Sequence, residues 1–124
     1  MQRGYWMSYD AAVWVGDRPK NDAEALKTYE DLWARYENTT EPPHPTILAY
    51  IQDLTKRYPD LTELDDEHID DSVWADGPLT GNVMGPFFYF AMTYPGARKA
   101  YPFVAETAAR HGLVCFDPQT VKLV

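Results

Sequence analysis

The chain has 124 residues and a mass of 14.2 kDa, short of the roughly 150 residues beyond which chains tend to divide, so one domain is expected. With 45% hydrophobic and 15% aromatic residues it carries enough apolar surface to fold alone, which excludes a disordered or fibrous chain. Nineteen acidic against eleven basic residues give a formal net charge of −8, so a phosphate backbone would be repelled and generic nucleic-acid binding is excluded.

Met1 to Trp6 precede a start-like segment, Met7-Ser8-Tyr9-Asp10, and are read as a flexible extension, leaving residues 7–124 as a single α+β domain. No apolar run follows the N-terminus as a secretory signal requires. The longest apolar stretch, Val83 to Tyr94, is interrupted by Gly85 and Pro86 and is far short of the roughly 20 residues of a membrane helix. A cytoplasmic protein with no membrane contact is expected. The lone cysteine, Cys115, cannot form an internal disulfide and suits a reducing compartment.

Ser8 to Val15 is rich in aromatic and β-branched residues and stops at Gly16-Asp17, the pattern of a strand. Asn21 followed by Glu24 resembles a capping box, and Leu26, Tyr29, Trp33 and Tyr36 repeat at helical spacing, so the pattern predicts a helix over Asn21 to Glu37. Pro42 and Pro43 break the chain, and Pro45 opens a second helix that Pro59 stops; its apolar face is Ile47, Leu48, Ile51, Leu54 and Tyr58. The short connection predicts that these two helices pack as a hairpin.

Eight acidic residues, Asp60, Glu63, Asp65, Asp66, Glu67, Asp70, Asp71 and Asp76, then follow, and no Lys or Arg lies between Arg57 and Arg98. They equal the whole net charge, so the excess is local. Leu61, Leu64 and Ile69 could hold this stretch against the core as a loop or short helix, whereas like charges this dense favour a solvated, extended surface. Gly77-Pro78, Gly81-Asn82 and Gly85-Pro86 mark a turn-rich connection.

Phe87 to Tyr94 is apolar at both parities, as in a strand covered on both faces or paired centrally. Arg98 to His111 reads as a third helix ending at Gly112, with Pro102 placing its regular start near Tyr101. Leu113 to Phe116 and Thr120 to Val124 read as strands around an Asp117-Pro118-Gln119 turn. The expected fold is α+β: a mainly antiparallel sheet in two layers with three helices on one face.

Nucleotide, hydrolase and metalloprotease motifs are absent, and no catalytic, cofactor or metal residue is assigned. The acidic run lacks the Asp-x-Asp-x-Asp-Gly spacing of a calcium loop. Asp70 and Asp71 point to opposite sides if the backbone is extended, so they would not share a catalytic site. Cys115 and His111 read as a buried small hydrophobe and a helix-end histidine rather than as a nucleophile and its base. His44, among prolines, reads as a loop or cap residue. The candidate contact residues are Asp65, Asp66, Glu67, Asp70, Asp71, Trp74 and Asp76, since an aromatic among carboxylates suits a basic protein partner. Trp74 as a lid on the core is an equal reading.

Met7 to Asp10, Asp71-Ser72-Val73-Trp74, Gly85-Pro86, Pro102-Phe103 and the run from His111 to Gln119 (HGLVCFDPQ) together resemble a family of small bacterial proteins often encoded beside secreted polymorphic toxins. The resemblance covers most of Met7 to Gln119 and implies an immunity-like role; the acidic loop Asp60 to Asp76, as the main electrostatic surface, then points to a cognate toxin domain that is basic. A small enzyme or ligand-binding domain with a pocket near Gly77 to Pro86 is the alternative reading. A third is a homodimeric housekeeping domain whose acids serve solubility.

Overall fold

In the computed structural model, which describes residues 8–124, the chain builds five strands and three α-helices. The strands are β1 (Ser8–Trp14), β2 (Val83–Met84), β3 (Phe87–Thr93), β4 (Val114–Asp117) and β5 (Lys122–Leu123), and the helices are α1 (Asp22–Tyr36), α2 (Pro45–Arg57) and α3 (Tyr94–Arg110). The extension expected over Met1 to Trp6 lies outside the described residues.

The sheet has the order β2-β3-β1-β4-β5 with every neighbouring pair antiparallel. The α+β class and the antiparallel sheet agree with the sequence pattern. The central strand, however, is β1, flanked by β3 along its whole length and by β4 at its C-terminal half. β3 stands one position out. Its outer edge pairs with β2 only at Phe87 and Phe88, and Trp74 bridges to Met92 near the other end.

The helices do not share one face. Ala11 and Val13 of β1, Phe88, Phe90 and Met92 of β3 and Cys115 of β4 form one core with α2 and α3. Ala12 and Trp14, Phe87, Val114 and Phe116 point the other way and form a second core under α1. This corrects both the two-layer arrangement with helices on one face and the hairpin expected of the first two helices. The reason is in the strands: with apolar side chains at both parities, each face of the sheet has to be covered. The Pro42-Pro43 connection carries the chain from one face to the other.

Local signals fix the helix ends. The Asn21 side chain accepts from the Glu24 amide at 2.9 Å, and Glu24 Oε1 accepts from the Lys20 amide at 3.1 Å, a cap of the sort worth about 1 kcal/mol. His44 caps α2, its Nδ1 accepting from the Thr46 amide at 3.1 Å, ahead of Pro45 in the first turn. Helix α3 starts at Tyr94, earlier than Pro102 indicated: Thr93 Oγ1 accepts from the Gly96 amide at 2.9 Å, Pro95 fits the first turn, and the helix runs through Pro102. Gly112, with φ of +69°, takes the left-handed position that ends it. On the α2–α3 side, the buried Tyr50 hydroxyl donates to the Val104 carbonyl at 3.0 Å, tying the two helices together. On the α1 side, Tyr29 and Trp33 set their rings against Phe116 and Phe87 with centroids 5.1 and 5.4 Å apart.

Candidate functional site

The acidic stretch leaves α2 at Tyr58 and is fastened to the domain at both ends. At the first end, Asp60 is buried and accepts from the Thr62 and Leu79 amides at 3.4 and 2.9 Å. Leu61 behind it packs on the α2–α3 core. At the second end, Val73 and Trp74 lie along the β3 edge, where Thr93 N–H donates to the Val73 carbonyl at 3.0 Å and Ala75 N–H to the Ala91 carbonyl at 2.9 Å. Between these anchors the chain makes two short 3-10 turns, Leu61–Glu63 and Ile69–Asp71.

Asp65, Asp66, Glu67, Asp70 and Asp71 are all exposed on this tethered arc. Five carboxylates therefore stand within seven residues. Among the described residues the ion pairs are His68 with Asp65, Nδ1 to Oδ1 at 2.6 Å, and His111 with Asp53, Nε2 to Oδ2 at 2.7 Å. No lysine or arginine among the described residues pairs with the arc. Among the described residues no three His, Cys, Asp or Glu side chains converge as metal ligands.

The two other candidate contact residues sit elsewhere. Trp74 is 1% exposed. Its Nε1 donates to the Tyr58 carbonyl at 2.8 Å, and its ring packs against Phe90 and Tyr58. It is a core residue and presents no surface to a partner, because the bridge to Met92 turns its ring under the arc instead of outward. Asp76 lies beyond the second anchor, half-buried, and accepts from the Asn82 amide nitrogen at 3.4 and 3.5 Å. Burial, opposed by that amide, raises its pKa above the ordinary carboxylate value.

Two concavities adjoin these elements. One, of about 400 Å³, lies between the arc and the α2 and α3 helices and is lined by Arg57, Tyr58, Leu64, Asp71, Val73 and Lys99 among others. The other, of about 360 Å³, is lined by Ser8, Asp10, Asp76, Asn82 and Tyr89. There the Tyr89 hydroxyl donates to Asp10 Oδ2 and Ser8 Oγ donates to Asp10 Oδ1 at 2.9 Å. Asp10 and Tyr89 were invisible as site residues because each lies in a segment that reads as a strand, and the β1–β3 pairing that brings them together is not a local pattern. Arg57 and Lys99 lie outside the acidic run and carried no signal of their own.

Cys115 is buried, and burial, reinforced by the Asp117 charge, pushes its thiol up to about 12, so it stays protonated and unreactive near neutrality. His111 turns to Asp53 instead. No helix among the described residues is long and apolar enough to cross a membrane. Compared with models of protein families, with curated proteins and with solved structures, the chain matches none.

Proposed function

We propose that the chain is an immunity protein that binds and neutralises a basic toxin domain through the arc from Asp65 to Asp71. One observation carries this reading: five exposed carboxylates in seven residues, held at both ends, with no lysine or arginine among the described residues paired to them. Like charges gathered on one surface repel each other and lower the affinity of wrong, acidic partners, while a basic cleft relieves the repulsion and is steered toward it. Asp65, Asp66, Asp70 and Asp71 would pair with lysine or arginine of the partner, standing in for a polyanionic substrate. Trp74 supports the arc from below. The test is co-purification of the chain with the toxin domain encoded beside it. A stable complex that protects against the toxin is expected, and a wild-type chain that forms no complex would end this reading.

A second reading is supported by the cleft of Asp10, Asp76, Asn82 and Tyr89, which places two carboxylates and a phenol beside the turn-rich segment. Here the chain would be a small ligand-binding domain or enzyme with its pocket near Gly77 to Pro86. Loss of a bound ligand or activity in Asp76→Asn, with toxin binding absent, would favour it.

A further inference from the structure

We propose that the groove between the arc and the α2–α3 side is a binding site for a small zwitterion with an apolar body, of the class of a free α-amino acid with a large apolar side chain. The groove brings opposite charges and an apolar floor together from three parts of the chain. Arg57, at the end of α2, and Lys99, one turn into α3, gather on the same ring: the guanidinium carbon lies 5.5 Å and the ammonium nitrogen 5.9 Å from the Tyr58 centroid. Neither cation has a carboxylate within 4.0 Å, since the ion pairs among the described residues involve only His68 and His111. Asp71, from the arc, lines the same groove and is therefore more than 4.0 Å from both. The charges are close enough to share a cavity and too far apart to cancel directly.

Gly96 explains why this groove forms. A Cβ there would stand 2.5 Å from the Val73 Cα and carbonyl oxygen, so only glycine lets the first turn of α3 close onto the 73–75 segment, with Lys99 three residues further along the helix. The floor is Tyr58, Leu64 and the buried Val73.

A ligand of a single sign fits this lining poorly. A simple anion meets Asp71, and a simple cation meets Arg57 and Lys99. A ligand carrying both signs complements both: its carboxylate takes charge-assisted hydrogen bonds from Arg57 and Lys99, its ammonium faces Asp71, and its side chain covers Tyr58, Leu64 and Val73. The volume of about 400 Å³ falls in the range of about 300–1,000 Å³ usual for small-molecule sites.

The experiment titrates the full chain with phenylalanine, N-acetylphenylalanine and phenethylamine, followed by calorimetry and by amide chemical shifts. Saturable binding of phenylalanine is expected, with each analogue weaker by about tenfold, the scale of one lost charge-assisted bond. The double variant Arg57→Ala/Lys99→Ala should lose binding. Asp71→Asn should shrink the gap between phenylalanine and its N-acetyl form to less than about threefold by removing the ammonium partner. All three residues are exposed, so the variants keep the fold, which the unfolding midpoint checks. Absence of saturable phenylalanine binding, equal binding of all three compounds, or binding that survives the double variant would each overturn the proposal. It shares Asp71 with the protein-partner surface but needs no toxin, so the two readings fail separately.

Discussion

Trp74→Phe keeps a ring against Tyr58 and Phe90 but leaves the Tyr58 carbonyl without its indole donor. A cost of about 2 kcal/mol is expected in denaturant unfolding, with partner affinity per folded molecule unchanged. A large fall in affinity at unchanged stability would instead make Trp74 a contact residue. Tyr101 behaves in the opposite way. Its hydroxyl is buried without a hydrogen-bond partner among the described residues, so Tyr101→Phe removes an unsatisfied group and should be neutral or stabilising by up to about 1 kcal/mol. A destabilised variant would reveal a partner for that hydroxyl. Composition alone left Trp74 undecided between surface and core, since an aromatic beside carboxylates suits either; the bridge to Met92, eighteen residues on, settles it, and no local pattern encodes such a pairing.

Among the elements, α3 depends most on a single small residue. Gly96→Ala would push a methyl into the Val73 backbone, and a loss of about 1–3 kcal/mol is expected with the damage centred on the α3 start and the 73–75 segment; a variant as stable as wild type would contradict this packing. The β1–β4 side yields a pH dependence. The Cys115 thiol, lifted by burial from an ordinary 9.0 to about 12, and the Tyr9 hydroxyl, lifted from 10.0 to about 12 by its bond to Asp117, both hold their protons longer in the folded state. The unfolded chain releases them first, so their contribution is complete below about pH 9 and is lost as the pH climbs toward 12. Unfolding free energy should fall across that interval, and Cys115→Ala should make the slope shallower; an unchanged slope would refute the assignment. Caps and breakers made α1 and α2 legible to within a residue at each end, because Asn21, Pro45 and Pro59 act locally. The start of α3 was misplaced because Pro102 looks like a first-turn proline while Thr93 and Pro95 supply the real one. The division of helices between the faces was also written in the strands, in Ala11 and Val13 against Ala12 and Trp14, but which helix covers which face is a matter of tertiary packing that periodicity does not specify.

For the molecule as a whole, the acidic run of the sequence resolves into two populations. Asp60 and Asp76 are drawn into the domain and hold its turns, while Asp65, Asp66, Glu67, Asp70 and Asp71 stay in solvent on one arc, with Glu63 exposed just ahead of them. The charge excess was legible as a run of residues; its sorting was not, because burial of a carboxylate depends on which amides happen to face it. The proposed role requires the exposed five to act together on a positively charged partner, and the affinity for the proposed basic toxin domain tests that most directly. Asp65, Asp66, Asp70 and Asp71 are each replaced by lysine, and affinity is followed from low to moderate salt. The wild-type complex should weaken steadily as salt screens the arc, and the four-lysine chain, folded as before, should bind at least about a hundredfold more weakly with little salt dependence left. A reversed chain that binds as tightly as wild type would contradict the account.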